Sequence, residues 1–394
     1  MQKKIGKNIY LLGFLSLFND LTSDLIAPLL PAYVMALGGG VALLGVMEGG
    51  ANALAYGTVL LAGYYADRWR DSKKMTIFGY RLCSMIRMLM VFPIAPLVVT
   101  ARWVDRIGKG IRTAPRDRLI TSSVEQSEWG KAFGIQRAMD HAGSLLAPLG
   151  AMLLITIWGQ NYSKIFLFAC IPSLLSVLVI PYFLKKVDFK ERDENQLAEP
   201  LPHLSWNKLH PTLKKYVGVI FVSALSTPSE LFLIMKMERA GLPQSQAPVV
   251  WFILILFTLI ASYFGGLSAD RFGKRRTILI GWALFTVSYV GFAFFNIVSV
   301  LWVLVSVYGA HMGLIESSER VVAASLVPAS QRATAMGWYY FAYGFGALPA
   351  SLLFGYFWSH VGERFAFLWN AGLTVVAMIL FVVLLNPKKG LNER

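Results

Sequence analysis

The chain has 394 residues, 56% of them hydrophobic and 15% charged, with 37 Lys and Arg against 22 Asp and Glu for a formal net charge of +15. A soluble domain is nearer about 45–50% apolar and about 25% charged, so this composition, with a mean hydropathy of +0.55, excludes a surface wetted all round and points to lipid. The basic residues stand between apolar runs rather than in one patch, which fits a membrane protein obeying the positive-inside rule and argues against nucleic acid as a partner.

The opening residues include Lys3, Lys4 and Lys7 and lead into an apolar stretch too long for a signal-peptide core. That stretch carries Asn19, Asp20 and Asp24, so it reads as an uncleaved first helix. A spanning helix needs about 20 mostly apolar residues. Such runs fall at roughly 9–37, 41–66, 74–93, 95–119, 128–157, 162–184, 214–238, 246–270, 275–296, 298–326, 331–358 and 363–386. Only Phe92-Pro93-Ile94-Ala95-Pro96 separates the third from the fourth. Cys83 and Cys170 lie inside apolar runs, too few for a disulfide framework and without metal-ligand spacing.

With the N-terminus cytoplasmic, the inside loops hold the positive charge: Arg68, Arg70, Lys73 and Lys74; Arg112, Arg116 and Arg118; Arg271, Lys274, Arg275 and Arg276; Arg332; Lys388 and Lys389. The opposite loops hold Lys164, Lys236, Arg239 and Arg364. The asymmetry predicts both termini on the cytoplasmic side of the inner membrane. Residues 185–213, with Glu191-Arg192-Asp193-Glu194 and Pro200 and Pro202, read as a cytoplasmic linker between a first half at 1–184 and a second at 214–394.

The halves resemble each other. Gly63-Tyr-Tyr-Ala-Asp67-Arg68 closes the second span and Gly266-Leu-Ser-Ala-Asp270-Arg271 the eighth. Gly130-Lys-Ala-Phe-Gly134 leads to Pro148, and Arg332-Ala-Thr-Ala-Met-Gly337 leads to Pro349. All are offset by about 200 residues, half the chain. Several pairs in one register argue for a duplicated six-helix unit, an architecture of transporters.

On these motifs the chain resembles the major facilitator superfamily over essentially its whole length. The family's loop motif, Gly-x-x-x-Asp-Arg/Lys-x-Gly-Arg/Lys-Arg/Lys, is matched by Gly266, Asp270, Arg271, Gly273, Lys274 and Arg275. The first copy departs after Arg68, where Arg70-Asp71-Ser72-Lys73-Lys74 stands in place of Gly-basic-basic. Gly143-Ser-Leu-Leu-Ala147-Pro148 is similar to an antiporter motif, with Ala147 replacing a glycine. The run Asp105-Arg106-Ile-Gly108-Lys109-Gly110-Ile-Arg112-Thr-Ala-Pro115-Arg116-Asp117 resembles a branch whose members are linked to metal or siderophore handling or to drug efflux. The resemblance implies an all-α membrane protein of twelve transmembrane helices in two pseudo-symmetric six-helix bundles, normally monomeric. It also implies that the first, fourth, seventh and tenth helices line the central cavity.

Charges inside a membrane are costly and mark the candidate sites. Asp20 and Asp24 are four apart on the first helix, flanked by Asn19, and carboxylates there suit proton loading or substrate contact; the alternative is pairing with an arginine of the fourth or fifth helix. Arg102, Asp105 and Arg106 lie on the fourth helix, and Arg137, Asp140 and His141 on the fifth. Arginines suit carboxylate or phosphate groups, imidazole suits a proton relay, and a closed salt-bridge network is the alternative reading. Glu230 lies on the seventh helix, and His311, Glu316, Glu319 and Arg320 on the tenth. Glu316 and Arg320 have the spacing of a simple pair, and His311 suits a helix contact better than a metal ligand. Glu48 reads equally as a gating or a packing residue.

Asp67 and Asp270 sit at helix ends beside basic residues. A carboxylate facing a neighbouring helix's N-terminus is stabilised by its dipole, so Gly63, Asp67, Arg68 and Gly266, Asp270, Arg271, Lys274, Arg275 are expected to form a conformational latch. Gly143, Pro148, Gly346 and Pro349 read as hinge or packing sites. Gly108-Lys109-Gly110 lacks phosphate-loop spacing, and no nucleophile elbow or metal motif is present; no enzyme activity, cofactor or resident metal is expected. The expected function is proton-coupled transport of a small, anionic organic solute by alternating access, with export favoured. The alternatives are uptake or release of a metal chelate such as a carboxylate siderophore, and a non-transporting membrane receptor or intramembrane enzyme.

Overall fold

A computed structural model describes residues 6–39, 41–69, 71–159, 161–184, 205–243 and 246–385, and among them there is no strand. The helices are α1 (Lys7–Ile26), α2 (Leu30–Ala36), α3 (Val41–Trp69), α4 (Ser72–Arg87), α5 (Ala95–Ser123), α6 (Trp129–Trp158), α7 (Tyr162–Phe183), α8 (Pro211–Leu225), α9 (Leu231–Arg239), α10 (Ala247–Phe272), α11 (Lys274–Phe294), α12 (Val298–Ser325), α13 (Arg332–His360) and α14 (Glu363–Leu384). Most of the expected linker, 185–204, lies outside the described residues, as do Arg70 and the side chain of Glu48.

Seven segments among the described residues are long and apolar enough to cross a bilayer by length and composition: Lys7–Leu29, Gln126–Trp158, Tyr162–Phe183, Val249–Phe272, Lys274–Phe294, Val298–Ser325 and Glu363–Leu384. α5 is equally long at 29 residues but carries six basic and two acidic residues, which lower its hydropathy below that of a lipid-facing span. The run expected at 214–238 is broken. α8 ends at Leu225, the stretch through Pro228 is irregular, and α9 restarts after Glu230, because proline has no N–H to continue the helix.

The two loop motifs turn differently. Gly273, between α10 and α11, has φ +92°, a region open to glycine. The first copy has no glycine there. Asp71 takes over the turn: its carboxylate accepts from the Lys74 backbone N–H at 3.1 Å and caps α4, as aspartate does at helix N-termini.

The chain divides into two compact units. One comprises Met1–Gln126, Met139–Pro202 and Ala329–Gly337; the other comprises Ser127–Ala138, His203–Pro328 and Trp338–Arg394. Each is tightened by glycine. In the first, a Cβ on Gly63 of α3 would stand 2.2 Å from the Ala333 carbonyl oxygen of α13, and one on Gly143 of α6 would stand 2.3 Å from that of Leu17 on α1. In the second, a Cβ on Gly266 of α10 would meet the Gly130 carbonyl oxygen of α6 at 2.2 Å, and one on Gly346 of α13 would meet that of Phe221 on α8 at 2.9 Å. Small residues let backbones close up where lipid supplies no hydrophobic drive. Gly63, Gly143 and Ala333 each stand 203 residues from Gly266, Gly346 and Gly130, so the sequence repeat is also a repeat of contacts. Pro148 and Pro349 sit inside α6 and α13, which continue through them.

Candidate functional site

In the first unit the charges of α1 and α5 meet. Arg112, 1% exposed, donates to Asp20 at 3.0 Å, and its guanidinium lies 4.2 Å from the centre of the Tyr80 ring. A desolvated cation on an aromatic face gains about 2 kcal/mol, which offsets part of the cost of removing the charge from water. One turn on, the Asp24 carboxylate accepts from the Ser144 hydroxyl at 2.5 Å. Arg106, Lys109 and Asp20 lie within electrostatic range of Asp24, so two carboxylates and three cations of α5, Arg106, Lys109 and Arg112, share one cluster.

Next to it lies a closed network. Asp105 forms an ion pair with Arg87 of α4 at 2.8 Å, both buried. Arg87 also donates to the Asn19 backbone carbonyl at 2.9 Å and to its side-chain oxygen at 3.1 Å. Asn19 and Asp105 are therefore held by one arginine of α4. Arg102 is buried on α5, Asp140 is buried on α6 and His141 is partly buried. Further along α5, Arg116 donates to Asp117 at 3.1 Å and to Ser16 at 3.2 Å.

In the second unit Arg137 of α6 lies 3.4 Å from Glu316 of α12 and donates to the Tyr340 hydroxyl at 3.2 Å. Arg320 donates to Glu316 at 2.9 Å and to the same hydroxyl at 2.6 Å. Glu316 thus serves two arginines. Glu319, 2% exposed, accepts from Tyr339 at 2.9 Å. The His311 Nδ1 faces the Gly281 carbonyl at 2.8 Å, and its ring packs on Phe285 at 5.0 Å. Glu230 is the residue preceding α9, at the break, rather than inside a helix.

The motif aspartates each bind a helix N-terminus. Asp67 accepts from the backbone N–H groups of Ala333 at 3.1 Å and Thr334 at 2.6 Å, in the first turn of α13. Asp270 accepts from those of Gly130 at 2.9 Å and Lys131 at 2.7 Å, in the first turn of α6. These N–H groups have no partner within their own helix, and the helix dipole favours an anion there by roughly 0.3–1 kcal/mol. Arg118 pairs with Asp67 at 3.2 Å. Arg68 donates to Tyr64 at 2.8 Å, Arg271 lies over Phe272 and Lys274 over Trp129, and Arg275 donates to the Val382 carbonyl at 2.9 Å.

Two groups lie elsewhere than the pattern of basic residues along the sequence predicts. Arg112, Arg116 and Arg118 are no loop residues: α5 runs on to Ser123 and all three are buried, because each finds an acid on the same or a neighbouring helix. Lys236, assigned to an outer loop, is on α9 and 1% exposed, paired with Glu363 at 2.5 Å. Arg87, Ser144 and Tyr340 were not anticipated. Arg87 alone carried a signal, as a charge inside an apolar run; partner hydroxyls look like any other serine or tyrosine in sequence.

The sequence model of the Major Facilitator Superfamily matches residues 12–309 and 231–394. An uncharacterised MFS-type transporter of Methanocaldococcus jannaschii is 29% identical over 387 residues, which cover 96% of this chain and 95% of that protein. Among solved structures, that of the human organic anion transporter MFSD10 superposes with a TM-score of 0.77 at 15% identity, covering 96% of this chain and 100% of the other. The Escherichia coli fucose:proton symporter FucP superposes with a TM-score of 0.75 at 15% identity, covering 94% and 97%. A duplicated helical unit with paired membrane charges, a family match spanning the chain and a relative similar along its full length lead to one assignment: the chain belongs to the Major Facilitator Superfamily, as a multi-pass membrane protein and secondary transporter.

Proposed function

We propose that the protein exports a small, anionic organic solute across the inner membrane in exchange for protons, by alternating access. In this reading α1 with α2 forms one span and α8 with α9 another, giving twelve spans in halves 1–184 and 214–394 joined by residues 185–213, with both termini cytoplasmic. The observation that carries it is the pair of carboxylates on α1. Asp20 is bound to Arg112, whereas Asp24 rests on the Ser144 hydroxyl. A carboxylate held by a hydroxyl keeps a hydrogen-bonded place whether charged or protonated, so Asp24 is the proton carrier. Arg106 and Lys109 of α5 stand in the same cluster, and arginine binds carboxylates through paired donors, so the solute is the anion. The Gly143 to Pro148 motif supports the outward direction. The two structural neighbours are named an organic anion transporter and a proton symporter, in keeping with an anionic solute and with proton coupling; the exchange direction rests on the Gly143 to Pro148 motif. Asp67 and Asp270 are the latch, each holding the start of a helix from the other sequence repeat in one state of the cycle.

The test is flux in liposomes with a panel of carboxylated solutes, with and without a pH gradient. Gradient-driven flux of one of them in the native protein, and its loss in Asp24→Asn, is the expected result. Flux that ignores the gradient overturns the coupling. Neutralising Arg106 is expected to weaken anionic solutes far more than neutral ones, and equal losses would remove the anion.

A further inference from the structure

α11 and α14 leave a groove between them that no part of the described chain fills. This open groove has a volume of about 530 Å³ and is lined by Leu279, Ala283, Thr286 and Val287 of α11 and by five residues of α14 from Val375 to Val383. Cavities of about 300–1,000 Å³ hold small molecules. The Thr286 hydroxyl is spent within its own helix, on the Trp282 carbonyl at 3.0 Å, so nothing in the groove can hold water, which needs two or more polar partners. A hydrocarbon chain is the matching occupant.

One end of the groove is basic. Arg275 and Arg276 precede Leu279 by four and three positions, which places them on the same helix face one turn away. Arg275 donates one N–H to the Val382 carbonyl at 2.9 Å, which fixes the guanidinium at the mouth; its fork has five donors, so others remain. Arg276 is exposed. Lipid tails gain no hydrophobic energy by moving from bilayer to protein, so the selectivity must come from these charges. A second copy of the chain is a poorer occupant. A two-fold axis along the membrane normal repeats the same patch on both partners and would bring the arginines of one copy against those of the other.

We propose that this groove is a site for an anionic phospholipid, with an acyl chain between α11 and α14 and the headgroup phosphate on Arg275 and Arg276. The site is separate from the α1 and α5 charges and does not depend on the transport reading. The test is native mass spectrometry of the intact purified protein titrated with phosphatidylglycerol or with phosphatidylcholine of the same chains. Wild type is expected to retain phosphatidylglycerol selectively. Replacing Arg275 and Arg276 together by Gln is expected to weaken that binding roughly twenty-five-fold, about fivefold for each charge. Ala283→Phe, which fills the groove and leaves both arginines, is expected to abolish it. Equal retention of the two lipids by wild type overturns the proposal without recourse to any variant. So does full retention by folded Ala283→Phe, displacement of the lipid by glycerol phosphate alone, or a lipid-free dimer.

Discussion

Asp67 carries an ion pair to Arg118 at 3.2 Å; where the repeat would place that arginine for Asp270, its counterpart 203 residues later, stands Val321, and the cation near Asp270 is Lys274 instead. The two carboxylates make the same pair of bonds to a helix N-terminus, yet Asp67 and Arg118 are 2% and 3% exposed while Asp270 is partly open. The latches share geometry and differ in electrostatics.

Asp67→Asn is therefore expected to be the more damaging change. Removing one partner of a buried ion pair costs about 3–5 kcal/mol, whereas Asp270→Asn gives up mainly a helix-dipole interaction of roughly 0.3–1 kcal/mol. Thermal unfolding in detergent should show a much larger fall in Tm for Asp67→Asn. Equal falls would mean that Arg118 contributes nothing.

Asp20→Asn and Asp24→Asn should part company in function. Asp20→Asn leaves Arg112 buried with its charge unbalanced, a defect of about 3–5 kcal/mol in a buried pair, and should lower protein yield and Tm. Asp24→Asn keeps an oxygen for the Ser144 hydroxyl and should fold normally. It should still exchange solute across liposomes while losing accumulation driven by a pH gradient. Normal accumulation by folded Asp24→Asn would show that the proton travels elsewhere.

The glycine contacts separate by position. Gly63→Ala would drive a Cβ to 2.2 Å from the Ala333 carbonyl oxygen, while Gly57→Ala on the same helix meets nothing within 4 Å. The first should lower Tm sharply, since neither backbone can give. The second should leave Tm unchanged or raise it, because alanine favours a helix over glycine by about 0.8–1 kcal/mol.

Glu363 joins Lys236 at 2.5 Å and Arg239 at 3.4 Å. Lys236 is 1% exposed and Arg239 is 58% exposed. Glu363→Gln strands a buried ammonium and should cost about 3–5 kcal/mol, whereas Arg239→Gln removes a surface pair worth about 0–1 kcal/mol. Thermal unfolding of the two variants checks the order. A larger effect from Arg239→Gln would point to its packing over the Trp358 ring, 4.9 Å away.

Hydropathy, the spacing of basic residues and the internal repeat were enough to establish a duplicated helical membrane protein, because bilayer thickness and the cost of an unpaired backbone impose lengths and periods that a sequence must display. The repeat also singled out Asp67 and Asp270, since two copies of one motif mark the same place twice. Tertiary structure alone decided the partners. α5 reads as a helix followed by a basic loop, but Arg112, Arg116 and Arg118 lie within it, and only packing against Asp20, Asp117 and Asp67 permits a charge to be buried there. Which carboxylate rests on Ser144 and which on an arginine depends on how α1, α5 and α6 are rotated about their axes. A sequence gives the spacing of residues along one helix face, and the rotation that brings two faces together is set by side-chain packing between helices far apart in the chain.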